Sequence, residues 1–133
     1  MKVLVTGANG LLGTHITLEL LTRGYEVNAV VRQKEKMKIS PRNGLTFFEG
    51  NFTDAYDISE AIKSCDYVIH AAALTSQDIR DFKKYRKINI EGTKTILEAA
   101  KKNGIKKFVY VSTANAFGYG TITNPGSEKA PSL

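Results

Sequence analysis

Eight residues near the start of the chain have the types and spacing to do chemistry. Thr6-Gly7-Ala8-Asn9-Gly10-Leu11-Leu12-Gly13 reads G-x-x-G-x-x-G across its glycines. Glycines let a backbone come close to a pyrophosphate without Cβ clashes, and the start of a helix offers free N–H groups and a partial positive charge. The pattern therefore suits anion binding, provided a strand precedes it and a helix follows. Without those flanks it would be an ordinary glycine-rich turn. Val3, Leu4 and Val5 supply an apolar run of strand length. Leu12, Ile16 and Leu20 recur at helical spacing, and Gly24 stands where a helix stop is expected. The context is that of a dinucleotide-binding turn.

The remaining elements must bring other residues to this turn. Tyr25–Val31, Leu45–Glu49, Asp66–His70 and Lys107–Val111 read as four further strands. Between them, Lys34–Gly44 is a polar loop, Asp54–Ser64 a short helix, and Asp78–Asn103 a long helix with Ile88, Ile96, Leu97 and Ala100 on its expected buried side. Strands alternating with helices imply βαβ units, a parallel sheet and right-handed crossovers. The fold expected is a doubly wound α/β sheet of order 3-2-1-4-5, broken off after the fifth strand. Its switch point lies between the first and fourth strands, so Gly7–Gly13 and Ala71–Thr75 should emerge together beside the ligand. Residues 1–118 are read as an incomplete dinucleotide-binding domain and 119–133 as an irregular tail.

Composition excludes several other classes. The net charge of +6 is spread over short lysine groups without interleaved aromatics, so no nucleic-acid platform is expected. No apolar run approaches the ~20 residues of a bilayer span, and no signal peptide is read at the N-terminus. Cys65 is the single cysteine, which precludes an intrachain disulfide, fits a reducing cytoplasm, and reads as a packing residue. No metal site is expected.

Four motifs in order give the chain a resemblance to a known family. They are the T-G-x-x-G-x-x-G above, His70-Ala71-Ala72-Ala73 after the fourth strand, Asn89-Ile90-Glu91-Gly92-Thr93 on the long helix, and Val111-Ser112-Thr113-Ala114-Asn115-Ala116-Phe117-Gly118 at the fifth strand. Together they resemble the N-terminal part of an extended short-chain dehydrogenase/reductase, of the NAD-dependent epimerase/dehydratase and dihydroflavonol-reductase group. The resemblance implies that Gly7, Asn9, Gly10 and Gly13, with the amides of Leu11 and Leu12, hold the cofactor's pyrophosphate. It implies that Ala71, Ala72, Ala73 and Thr75 lie along the pyrophosphate and ribose, and that Asn51 and Phe52 lie beside the adenine. The family usually has Asp at position 51; Asn keeps an accepting oxygen. Asn89 would support the active-site hydrogen-bond network, its alternative being a plain helix-surface residue. Thr113, five before Gly118, is the expected catalytic hydroxyl, with Ser112 beside the cofactor and in reserve for that role.

Arg32, 19 residues after Gly13, bears on the choice of cofactor. NAD sites commonly carry Asp or Glu there for the ribose 2′-OH, whereas Arg suits a 2′-phosphate. Lys36 adds charge nearby. NADP is therefore expected over NAD. The family's Tyr-x-x-x-Lys acid pair is missing: none of the six tyrosines has Lys four residues later. The pair is expected after Leu133, so this chain should bind cofactor without useful turnover. The function expected of the parent is hydride transfer between a nicotinamide and a carbonyl or hydroxyl substrate. The alternatives are an NAD-dependent nucleotide-sugar epimerase or dehydratase, and a non-catalytic dinucleotide-sensing regulator. The resemblance also suggests a homodimer formed through the long helix together with a helix expected after Leu133.

Overall fold

The computed structural model describes residues 1–76, 81–113, 116 and 120–129. Five strands form one parallel sheet: β1 (Lys2–Thr6), β2 (Glu26–Val31), β3 (Leu45–Glu49), β4 (Tyr67–His70) and β5 (Lys107–Tyr110). Their order is β3-β2-β1-β4-β5. This is the doubly wound order expected from the alternation of strands and helices.

Helix α1 (Leu11–Thr22) covers one face of the sheet. On the other lie α2 (Ala55–Ala61) and a long rod made of α3 (Phe82–Tyr85), a π-helical segment (Arg86–Glu91) and α4 (Gly92–Lys102). Alternation along the strands separates two cores. Val3, Val5, Val27, Ala29 and Val31 pack beneath α1. Leu4, Val30 and Val68 meet Ile58, Ile62, Ile96 and Ala100 on the other side. Asn28 is buried in that second core and satisfied, its Nδ2 donating to the Ala61 carbonyl at 2.7 Å. Cys65 packs there too, and burial pushes its thiol up to about 11, so it stays an unreactive packing group.

Some expectations about the helices need correction. Leu97 is 46% exposed, because it lies about 100° around the helix from Ile96, which faces the sheet with Ala100 one turn on. Ile88 is only half-buried. In α1 the fully buried positions are Gly13 and Thr17, while Ile16 and Leu20 are half-buried and Leu12 is exposed. Small residues at the contact let α1 sit close to the sheet. The long helix is not one regular α-helix, since it widens over Arg86–Glu91. Its expected first residue, Asp78, and the Phe117-Gly118 pair lie outside the described residues.

The N-terminal ends of the strands are tied together through Asp66. It accepts from the Lys2 amide at 2.9 Å and pairs with Lys106 at 2.5 Å. Those two contacts hold its carboxyl below the usual carboxylate range. The opposite end is left free to form a crevice.

Candidate functional site

At the carboxyl ends of β1 and β4 the chain opens a crevice of about 500 Å³. That volume falls within the roughly 300–1,000 Å³ typical of small-molecule and cofactor sites. Its floor is the glycine turn. Gly7 has φ +74°, in the left-handed region, and a Cβ there would stand 2.7 Å from the Ala72 nitrogen. A Cβ on Gly13 would stand 2.0 Å from the Gly7 carbonyl oxygen. Only glycine permits this approach of α1 to the turn and of the turn to β4. The Gly10 amide donates to the Gly7 carbonyl at 2.9 Å, and the Thr14 hydroxyl donates to the Ala8 carbonyl at 3.0 Å, which fixes the loop.

The start of α1 has no side-chain cap and no acidic residue in its first turn. Gly10, its cap residue, has no side chain to offer. The amides of the first turn therefore point their unmet hydrogen-bonding capacity, and the positive end of the helix dipole, into the crevice. Leu11 is 77% exposed there, which leaves its amide reachable.

Thirteen of the residues expected at the cofactor line this one space. Gly7, Asn9, Gly10, Leu11, Leu12 and Gly13 form the floor; Ala71, Ala72, Ala73 and Thr75 form one wall; Arg32, Asn51 and Phe52 form the far end. Val30, Gly50, Leu74 and Ile88 join them, none of them expected at the cofactor; Ile88, expected only to face the core, lines the crevice instead. Asn51 builds its own turn, its Oδ1 accepting from the Thr53 amide at 3.1 Å and its amide donating to Asp57 at 2.8 Å. Arg32 is exposed at the crevice end, directly after β2, and among the described residues no Asp or Glu lines the space.

Four expected residues lie outside the lining. Lys36 sits on a 3₁₀ turn (Lys34–Lys36) that leads the chain away after Gln33. Ser112 and Thr113 follow β5 and are exposed, with the Thr113 carbonyl accepting from the Ala116 amide at 3.1 Å. Asn89 acts from behind the wall. Its Oδ1 accepts from the Leu74 amide at 2.7 Å, and its Nδ2 donates to the Leu74 carbonyl at 3.0 Å. This two-point clamp holds the Ala71–Thr75 segment against the rod, at the place where the rod widens to a π-helix.

The rest of Asn89–Thr93 also has a physical reading. A Cβ on Gly92 would stand 2.7 Å from the Phe52 ring, so glycine makes the room that ring occupies. The Thr93 hydroxyl lies 2.9 Å from His70 Nε2. His70 is buried at the end of β4 and surrounded by the rings of Phe52, Phe108 and Tyr110. Burial pushes its pKa down to about 4. Sequence reading took His70 only as a motif letter. The available signal was a polar residue ending an otherwise apolar strand.

Among the described residues no cluster of His, Cys, Asp or Glu could hold a metal ion, and no helix is long and apolar enough to cross a membrane.

A parallel sheet of this order, with a glycine turn and an uncapped helix at its switch point, defines a Rossmann-type domain. The chain belongs to the NAD dependent epimerase/dehydratase family, whose model matches residues 3–132. It is 35% identical over 113 residues, 85% of this chain, to a 4-hydroxy-2-methyl-3-oxo-4-farnesyl-3,4-dihydroquinoline-1-oxide ketoreductase of Stigmatella aurantiaca, covering 34% of that protein. It is 34% identical to UDP-glucose 4-epimerase of Bacillus subtilis over a gapped alignment 142 positions long that takes in 98% of this chain and 42% of that protein. The UDP-glucose 4-epimerase of Thermus thermophilus, solved in complex with NAD, superposes with a TM-score of 0.87 at 30% identity, covering all of this chain and 44% of the other. The chain thus spans well under half the length of these relatives.

Proposed function

We propose that this chain is the NADP(H)-binding part of an oxidoreductase that moves hydride between nicotinamide and a carbonyl or hydroxyl carbon. The observation that carries this reading is the uncapped start of α1 opening onto a crevice with Arg32 at its far end. The residues present fit the cofactor, because glycine at positions 7 and 13 lets the turn, α1 and the Ala71–Ala72 backbone pack together so closely that the first-turn amides of α1 face the crevice. The amides of Leu11 and Leu12 would hold the diphosphate. Arg32 would pair with a 2′-phosphate through its planar guanidinium, and among the described residues no lining carboxylate stands ready for a 2′-OH. Phe52 and Asn51 would border the adenine, and Ala71–Ala73 and Thr75 the ribose side. Lys36 and Ser112 would act from the periphery. Bound nicotinamide cofactor supplies the hydride chemistry. Thr113 would orient the substrate oxygen, and Asn89 would keep the wall in place. No tyrosine here is followed four residues later by lysine, so the 133-residue chain is expected to bind without turning over.

The test is a calorimetric titration with NADPH and NADH. Tighter NADPH binding supports the reading, and tighter NADH binding defeats the choice of cofactor. A second reading, an NAD-dependent nucleotide-sugar epimerase, draws on the superposition with the Thermus thermophilus enzyme. It predicts tighter NADH binding in the same titration. If neither dinucleotide bound, both readings would fall, and with them the dinucleotide-sensing regulator. Self-association through the long helix is part of the proposal, since Phe82, Ile90 and Leu97 are exposed along it. Sedimentation velocity would check it, a dimer being the expected species. A cytoplasmic location completes the reading, consistent with a chain whose single cysteine, Cys65, has no partner for an intrachain disulfide.

A further inference from the structure

Thr6 and His70 are paired residues on adjacent strands, at the last rung of the β1–β4 ladder. Each immediately precedes a loop of the crevice: Thr6 precedes Gly7, and His70 precedes Ala71. Both are buried, and Thr6 Oγ1 lies 2.6 Å from His70 Nδ1. The direction of this bond follows from the two ends of a longer chain. At one end, the Thr93 hydroxyl donates its single proton to the Asn89 carbonyl at 2.6 Å. Thr93 can then only accept from His70, so the proton of the neutral imidazole sits on Nε2. Nδ1 is left as an acceptor, and the Thr6 hydroxyl donates to it. At the other end, Thr6 Oγ1 accepts from the Ala72 amide at 3.4 Å. An amide can only donate and a carbonyl can only accept, so the chain from Ala72 to Asn89 runs one way throughout. Burial among three rings keeps the imidazole neutral, as this arrangement requires.

We infer that His70 is a positioning residue for the dinucleotide crevice: through Thr6 and Thr93 it fixes the Ala71–Ala72 peptide against Gly7, where the cofactor's diphosphate would lie. The inference rests on the dinucleotide reading above. The wall of the crevice is thereby anchored twice to the same turn of the rod. Leu74 is held by the Asn89 side chain, and Ala72 is held through Thr6, His70 and Thr93 to the Asn89 carbonyl. An apolar residue at position 70 would fill the core but sever the second anchor. The Thr6 and Thr93 hydroxyls would then be left without their shared partner.

Two measurements test this. The first uses the free protein labelled with ¹⁵N-histidine. A long-range ¹H–¹⁵N correlation at neutral pH should show His70 as the neutral Nε2–H tautomer. An Nδ1–H or charged imidazole overturns the chain. The second compares NADPH affinity among variants. Thr6→Val should weaken binding about tenfold and lower the melting temperature by a few degrees, because it leaves the buried His70 Nδ1 unpaired, and Thr6→Ser should restore the binding. Wild-type affinity in folded Thr6→Val overturns the positioning role. Should that variant not fold, His70→Asn and His70→Gln decide. The Asn oxygen can take the place of Nδ1 and keep the Thr6 bond, whereas the Gln amide can replace only Nε2. His70→Asn keeps the Thr6 hydroxyl bonded beneath the Ala72 amide but loses the Thr93 link, so its NADPH affinity should fall between those of wild type and His70→Gln, and His70→Gln should bind about tenfold more weakly than wild type. Equal affinity of the two variants overturns the role. Failure of the wild-type chain to bind NADPH or NADH would instead remove the dinucleotide reading, and the positioning role with it, while leaving the tautomer result standing.

Discussion

Two helix starts in this molecule have opposite fates. Helix α2 closes its own N-terminus: Asp54 accepts from the Tyr56 amide at 2.8 Å and the Asp57 amide at 3.2 Å. Helix α1 does the reverse, beginning at Gly10 with no side-chain cap and no acidic residue nearby. An aspartate cap stabilises a helix by satisfying orphan amides and placing negative charge at the positive end of the dipole. At α1 the chain forgoes that stabilisation, and the amides face a crevice instead. On the function proposed above, the contrast means that the open end is kept for an anion from outside the chain. Local stability and ligand binding draw on the same few N–H groups.

The comparison can be broken most completely by filling the turn. Gly13→Ala places a Cβ 2.0 Å from the Gly7 carbonyl oxygen, so α1 must back away from the turn. Dinucleotide binding should become undetectable, and urea unfolding should show a loss of about 3 kcal/mol from backbone clash. Retained NADPH binding in a fluorescence titration would break the account of the turn. The next change makes α1 resemble α2. Gly10 has extended backbone angles, φ −78° and ψ 168°, which suit a capping aspartate. A Cβ there would stand 3.3 Å from the Gly7 carbonyl oxygen, so the strain of the turn offsets the cap's gain; Gly10→Asp should stay within about 0.5 kcal/mol of wild-type stability, yet weaken NADPH binding about 100-fold. A variant losing stability and affinity together would count against the trade-off.

Acid should affect the crevice end before the rest. His70 has its pKa pushed from 6.5 to about 4, so the unfolded chain binds a proton that the folded chain refuses. The stability this reflects is complete above pH 6.5 and declines as pH falls towards 4, by about 2 kcal/mol. Asp66, held below 3.8, loses its contribution only at still lower pH. Urea midpoints at pH 7 and 4.5 measure the effect, and His70→Gln should flatten it. The smallest change concerns the closed helix start. Asp54→Ala should cost about 1 kcal/mol of stability and leave NADPH affinity untouched. Reduced affinity there would show that the two helix ends are not separate.

The fold was largely legible in the sequence, because each strand of this parallel sheet is a short apolar run punctuated by turn residues. The floor of the crevice was legible for a related reason: only glycine tolerates the contacts at positions 7 and 13, so the requirement is written in residue type. Other features depend on packing. Nothing in residue type separates Leu97 from Ile96, and which of them faces the sheet is set by the phase of the rod, shifted by its π-helical segment. Lys36 is close to Arg32 in sequence, but the 3₁₀ turn carries it out of the crevice. The chain of Thr6, His70 and Thr93 joins residues 64 and 23 positions apart, a proximity visible only once β1, β4 and α4 are assembled.

The most direct measurement is an amide chemical-shift map of ¹⁵N-labelled protein titrated with NADPH. The largest shifts should fall at Leu11, Leu12 and Gly13, with Ala72 following and Tyr56 and Asp57 unmoved. Shifts centred on any other surface, with the amides at the start of α1 unchanged, would contradict the account.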